Sequence, residues 1–252
     1  MTDLPLEDPA PAFRLFWDNS SLTPARALRL AEAISMDAMQ AAPPPRPLYG
    51  PAAQRLPAPD SPLTALWRER HSERRFGATP LTAAGLGNLL SPLASRAAIT
   101  PGEPGRLLPS GGAKYPVLTY AAVLNVADAP ALQGKLAWYD PEHHGLVPLG
   151  ALPPWQALAA SLGVDWAGPP ALVLFFVVQA HGTLAKYGER GGRFVLIETG
   201  TALAAVTLEA TRQGLAGVPV ASFDDGALLA LCGLAPATHG LALASAFGPA
   251  PG

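Results

Sequence analysis

Apolar and polar positions along this chain switch between a period near 3.6 and unbroken apolar runs, which predicts a mixture of helices and buried strands. Thr23 and Pro24 form an N-cap and first-turn pair, with Leu28, Ala31, Ile34 and Met39 following at roughly helical spacing. They predict one opening helix that runs through Gln40. Prolines at 43, 44, 45, 47, 51, 57, 59 and 62 then predict an extended, polyproline-like strap from Ala41 to Pro62, because each ring fixes φ and removes a donor. Leu48, Tyr49 and Leu56 give that strap apolar anchors along the domain surface. The division expected is an arm over residues 1–62 and a main domain over 63–252.

In the main domain, Leu63 to Arg70 predicts a helix, Thr82 caps another through Leu90, and Ser91 to Gly112 reads as a Pro/Gly-rich loop. Val117 to Val126 predicts a buried strand. Leu136–Asp140 and Gly145–Leu149 predict a hairpin around Pro141-Glu142-His143-His144. Trp155 to Leu162 predicts a short helix. Ala171 to Val178 is apolar on both faces and predicts a strand central in a sheet. Phe194 to Gln213 predicts a long helix, apolar on most sides and so central and buried, closed by Gly214. A short strand at Val218–Ala221, a helix capped by Asp224 or Asp225 through Leu231, and a strand at Leu241–Phe247 complete the chain. This succession is α+β and not alternating βαβ.

Composition narrows the class. The chain has 252 residues, 49% of them hydrophobic and 14% charged, enough apolar content for one sizeable core. A net charge of −2 and a pI near 6.2 argue against a nucleic-acid partner. Cys232 is the single cysteine, so the chain alone builds no disulfide, CxxC zinc site or iron–sulfur cluster. Met1 to Pro11 lacks a signal-peptide pattern and the longest apolar run, Ala171 to Ala180, is too short to span a bilayer. A soluble cytoplasmic protein with no membrane partner is expected.

Against this charge-poor background stands Arg70-His71-Ser72-Glu73-Arg74-Arg75-Phe76. Guanidinium groups with an imidazole and a hydroxyl can hold a phosphate dianion, from an extended segment or one helical turn. The same run is also compatible with a solvated helix face of i,i+4 pairs over Arg68 to Arg74. The pair His143-His144 has no third ligand at metal spacing and reads as a polar turn, with no metal site. GxSxG, Walker A, GxGxxG and HExxH signatures are absent, which removes most support for hydrolase and NTPase readings.

Four segments occur in a fixed order: Arg70-His71-Ser72-Glu73-Arg74, Pro109-Ser110-Gly111-Gly112, Lys186-Tyr187-Gly188-Glu189-Arg190, and the run from Gly214 to Asp224. With these the chain, over about residues 45 to 249, resembles the FMN-dependent nitroreductase superfamily, and within it the SagB-type or McbC-like dehydrogenases that include azoline oxidases. The resemblance implies a mixed, mainly antiparallel sheet flanked by helices, an obligate homodimer, and FMN as cofactor. It implies that Arg70, His71, Ser72 and Arg74 hold the flavin phosphate and ribityl chain. Pro109, Ser110 and Gly111 would contact the flavin, usually from the partner subunit, with small residues allowing close main-chain approach. Ala221 and Ser222 would place a backbone amide near flavin N5, which helps the ring accept a hydride.

Lys186 and Tyr187 match a K-Y dipeptide followed by G-x-R in the azoline-oxidising members. Aromatising an azoline removes a proton beside the carbonyl and a hydride from the neighbouring ring carbon, so the resemblance implies Lys186 or Tyr187 as base. Without the resemblance, a surface lysine and a packing tyrosine on a mobile loop from His181 to Gly192 are the favoured reading of the pair. The chain departs from the family at Thr201 and Ala204, which bear on substrate contacts. It also lacks a C-terminal cation, leaving the phosphate to the first segment with Arg193. Lys114 stands where an apolar residue is common. The reading is an FMN-dependent dehydrogenase or oxidase acting on a small or peptide-derived substrate, carried on a peptide or carrier protein. An NAD(P)H-dependent reductase of nitroaromatics or quinones, and a non-catalytic homologue serving as a structural partner, stay open.

Overall fold

The computed structural model describes residues 8–38, 54 and 56–252. Most of the proline strap and the end of the opening helix at Met39–Gln40 therefore lie outside the described residues. Two helices, α1 (Pro11–Ser20) and α2 (Pro24–Ala38), precede that gap, where the sequence predicts one. α1 has no side-chain cap of its own. Instead the Glu189 carboxylate accepts the Ala12 and Phe13 amides, both at 2.8 Å, from 177 and 176 positions away. No local pattern could reveal such a cap.

After the gap come α3 (Pro62–Glu69), β1 (Leu81–Thr82) and α4 (Ala83–Leu90). Ser61 caps α3 and Thr82 caps α4, each hydroxyl accepting an amide three residues on. A short 3₁₀ turn and α5 (Arg96–Ile99) break up the expected loop. Then follow β2 (Val117–Val123), β3 (Val126–Ala127), β4 (Lys135–Asp140), β5 (Gly145–Ala151), α6 (Trp155–Leu162), β6 (Leu172–Val178), α7 (His181–Tyr187), α8 (Glu189–Arg212), β7 (Leu215–Val220), α9 (Asp225–Leu231) and β8 (Gly240–Pro249). The main sheet has six strands in the order β5-β4-β2-β6-β8-β7, and every neighbouring pair is antiparallel. Only the small β1–β3 pair is parallel. Pro148 and Pro219 fall on β5 and β7, the two edge strands, where a missing donor is tolerated.

β6 is buried along its whole length. Leu172, Leu174 and Phe176 face a core shared with α4 and α8, while Val173, Phe175 and Val177 face a second core shared with α6 and α9. The sheet is thus covered on both sides, which is why a continuous apolar run was needed at its centre. α8 differs from the expectation of a helix buried on most sides. Val195, Thr199, Ala202, Val206 and Ala210 form its buried stripe, but Leu196 is 43% and Ile197 63% exposed. By length and apolar composition α8 could also cross a membrane; its buried stripe instead packs against the sheet. It begins five residues before the predicted start because Gly191 and Gly192 are contact points rather than helix breakers. A Cβ at Gly191 would lie 2.8 Å from the Thr183 carbonyl oxygen, and one at Gly192 would overlap the Phe13 ring.

Candidate active site

α3 ends at Glu69, and residues 70–76 leave it as an extended segment rather than a solvated helix face. Two backbone bonds hold that segment along the sheet edge: Glu73 donates to the Gly217 carbonyl of β7 at 3.1 Å and Gly77 to that of Pro249 at 2.9 Å. The Glu73 carboxylate takes the Arg74 and Arg75 amides, at 2.8 and 2.9 Å, and the Arg75 guanidinium at 3.1 Å. The Arg75 guanidinium and these amides hold its carboxyl down at about 2. Arg75 is thereby spent, whereas among the described residues Arg70 and Arg74 have no carboxylate within ion-pair distance. Arg70 and His71 line a cavity of about 390 Å³ with Thr211, Gly214 and Ala216. Ser72 and Arg74 are exposed on the same segment but do not line it. An anionic ligand can use these donors, although Glu69 and Glu73 stand on the same cavity wall, Glu73 already paired with Arg75.

A second cluster forms where the loop before β2 meets the α7–α8 turn. Ser110 accepts the Tyr115 amide through its hydroxyl at 2.8 Å, and Gly111 donates its amide to the Glu198 carboxylate at 2.9 Å. The Gly111 N–H is therefore used inside the chain and is not a free donor. Gly112 (φ +63°), Ala113 (φ +55°) and Tyr115 (φ +47°) all occupy the left-handed region, so this loop carries local strain. A Cβ at Gly112 would clash with the Tyr187 hydroxyl and lie 2.6 Å from Lys186 Nζ. A Cβ at Gly111 would lie 3.1 Å from the Phe194 ring, which meets Tyr187 edge-on at 5.1 Å between centroids. Lys186 and Tyr187 sit on the last turn of α7, a helix and not a loop, with Lys186 exposed and Tyr187 half-buried. The side chain of Lys114 reaches the neighbourhood of Gly182 at the other end of α7.

The two clusters occupy opposite ends of α8. Phe194 marks the Lys186–Tyr187 end and Thr211 the Arg70–His71 end, about 25 Å apart at 1.5 Å per residue. Arg193 is exposed at the Phe194 end, so within one chain it does not join Arg70. Ala221 and Ser222 follow β7. The Ser222 hydroxyl donates to the Leu162 and Gly163 carbonyls at 3.1 and 3.2 Å, pinning this turn to the end of α6. No hydrogen bond among the described residues engages the Ser222 amide. His143 and His144 take separate partners, Asp140 Oδ2 at 2.6 Å and Tyr139 Oη at 2.7 Å. Thr201 bonds the Ile197 carbonyl of its own helix.

Sequence reasoning gave Glu198 no role, although it is the one charge between Phe194 and Leu208 and a lone acid on an apolar helix is a usable signal. Glu189 carried no signal, because its role depends on α1.

Comparison with known proteins bears on the family and the fold. Residues 67–248 match the model of the nitroreductase family. A Methanocaldococcus jannaschii protein provisionally named a nitroreductase is 31% identical over 158 residues, covering 62% of this chain and 77% of that protein. Among solved structures, a chain of the E. coli microcin synthetase McbBCD complex with truncated pro-MccB17 bound superposes with a TM-score of 0.62 at 22% identity, over 91% of this chain and 95% of that one. A nitroreductase-like protein of Ralstonia eutropha superposes with a TM-score of 0.63 at 24% identity, over 84% and 96%. At these identities the superpositions establish the fold.

Proposed function

Because the chain belongs to the nitroreductase family, we propose that it is an FMN-dependent dehydrogenase that removes two hydrogens from a thiazoline or oxazoline in a peptide-derived substrate. The observation that carries this reading is the contact of Gly112 with Lys186 Nζ and the Tyr187 hydroxyl. It puts two candidate bases beside the loop at which a flavin's ring would be approached by main chain alone. A family member that only relays electrons has no need of a base there. The fold shared with a chain of the McbBCD complex, whose structure contains truncated pro-MccB17, supports a peptide as substrate carrier.

When bound, FMN supplies the two-electron acceptor. Arg70 and His71, with Ser72 and Arg74 beside them, would hold its phosphate; Pro109, Ser110 and Gly111 would let the main chain approach its ring, and the Ser222 amide, following Ala221, would donate to it. Lys186 or Tyr187 takes the proton from the carbon next to the carbonyl, and the neighbouring aromatic Phe194 keeps Tyr187 oriented.

One chain separates these groups by about 25 Å along α8. A two-fold axis that lays the α8 helices of two copies antiparallel would bring the Arg70 end of one to the Lys186 end of the other, and Arg193 with it. The exposed Leu196 and Ile197 give that contact an apolar surface. We therefore propose a homodimer with two shared sites.

The test is product analysis with a peptidyl thiazoline. The FMN-loaded protein is expected to convert it to the thiazole, with loss of two hydrogens by mass. A Lys186→Ala/Tyr187→Phe double variant that keeps its yellow flavin should not. Thiazole formation by the double variant at the wild-type rate would overturn the reading. Turnover confined to nitroaromatics or quinones with NAD(P)H would favour the reductase, and failure to bind FMN on titration a structural role.

A further inference from the structure

Pro109 also borders a cavity of about 80 Å³ that Lys186 does not line and that the roles above leave unused. At about 30 Å³ of liquid volume per water it holds two or three waters, and because it opens to solvent a larger ligand would seat its polar end inside and leave the rest at the mouth. Its walls include Pro109, Tyr115, Trp138, Tyr139 and Glu198, with Arg106 as the one cation. Arg106 is firmly built in. Its backbone bridges to Ser95, its amide approaches the Tyr115 hydroxyl at 3.4 Å, and its guanidinium stacks 4.5 Å over the Tyr115 ring.

The Arg106 donors are poorly used. Nε is buried and has no hydrogen-bond partner. The nearest acceptor, Glu142 Oε1 on the β4–β5 turn, stands 3.5 Å from both Nε and Nη2, at the limit of a hydrogen bond, and its side chain is 58% exposed. Two of the other polar walls are committed elsewhere. Glu198 Oε1 accepts the Gly111 amide and the Tyr139 hydroxyl pairs with His144. A stacked guanidinium with a buried, unmet N–H is the group that a carboxylate engages best, by a charge-assisted and partly bidentate pair. Aromatic walls beside it favour a ring attached to that carboxylate.

We propose that this cavity binds a carboxylate carried on a small aromatic or heterocyclic ring, with Arg106 as its ionic partner and Glu142 as the loose counter-ion it displaces. The site stands independently of the reaction proposed above, since it requires neither flavin nor turnover. Pro109 and Glu198 belong both to this cavity and to the loop at the candidate active site, so a ligand held here lies next to that loop.

Phenylacetate and its neutral isostere phenylacetamide are the probes, titrated calorimetrically into the full chain. Phenylacetate is expected to bind about tenfold or more tightly than the amide. Arg106→Gln should abolish the difference and Arg106→Lys keep part of it. Equal affinity of the wild type for both probes, no heat with phenylacetate, or an unchanged preference in Arg106→Gln would overturn the proposal. Should Arg106→Gln fail to fold, Glu142→Gln provides the second arm, because its exposed side chain is not structural. Removing that competitor should tighten phenylacetate severalfold, and unchanged or weaker binding would contradict the site.

Discussion

The hydroxyl of Tyr187 fills the space that a side chain on Gly112 would need. Glycine at 112 is required twice, once for its φ of +63° and once for this contact. The atoms it would meet are the far ends of two flexible side chains, which can swing away. A Gly112→Ala variant should therefore lose only about 1 kcal/mol of stability, from the left-handed backbone. It should lose azoline turnover far more severely, because Lys186 and Tyr187 are displaced. Thermal melting and turnover measured together check this; a large drop in Tm with turnover retained per folded molecule would contradict it.

Glu198 connects the same loop to α8 through the Gly111 amide. Glu198→Ala leaves that amide without its acceptor and should cost about 1–3 kcal/mol. Glu198→Gln keeps an acceptor oxygen and should cost clearly less. Denaturant titration separates them, and equal losses would show that charge, not the hydrogen bond, matters.

The bonds from Glu189 to the Ala12 and Phe13 amides hold α1 against the start of α8, where Phe13 packs on Gly192 and Trp17 on Gly240. Glu189→Ala should behave as the loss of a helix cap, costing about 1 kcal/mol. The expected signature is earlier proteolysis at Arg14 and a change in Trp17 fluorescence ahead of global unfolding. Unfolding of α1 only together with the core would contradict it.

Asp225 gives a pH dependence with a definite sign. Its carboxylate accepts the Leu22 amide at 2.8 Å, but burial pushes its pKa up to about 6 from an ordinary 3.8. The folded state therefore binds this proton more tightly than the unfolded chain. Its contribution to stability is fully present below the ordinary value and is lost as pH rises through about 6. Asp225→Asn should flatten the stability profile between these two pH values. Parallel profiles for both proteins would contradict the assignment. Glu73, held down at about 2 from an ordinary 4.5, acts with opposite sign between those values, so the Asp225 effect is read cleanly above pH 4.5.

A shared site also predicts complementation between two inactive chains. Arg70→Glu should abolish flavin binding, and Lys186→Ala/Tyr187→Phe should abolish turnover. Mixed dimers contain one site with both halves intact and should recover activity. No recovery in a verified mixed dimer would place both halves in one chain.

The parts legible in the sequence are those whose cause is local. β6 is evident because both its faces are buried, and α4 and α9 because Thr82 and Asp224 cap them with their own side chains. α1 is not, since its cap comes from Glu189. α7 and the first turn of α8 read as a loop because Gly182, Gly188, Gly191 and Gly192 suggest flexibility, whereas two of them mark where the Thr183 backbone and the Phe13 ring pack closely. Among candidate site residues, Lys186, Tyr187 and the Pro109–Gly112 loop are legible as separate motifs, but their mutual contact is a tertiary fact. So is the distance that separates Arg193 from Arg70. The exposure of Leu196 and Ile197 on α8 is hidden by the same cause: periodicity cannot distinguish an apolar face turned to the core from one left exposed.

The central claim is that Lys186 and Tyr187 take a proton as the substrate is oxidised. Anaerobic mixing of the FMN-loaded protein with a peptidyl thiazoline tests it most directly, with flavin absorbance followed in a single turnover and no NAD(P)H present. The wild type should bleach, and the Lys186→Ala/Tyr187→Phe variant, with flavin still bound, should bleach slower by on the order of a hundredfold or more. Bleaching of both proteins at the same rate, or of neither until NAD(P)H is added, would contradict the account.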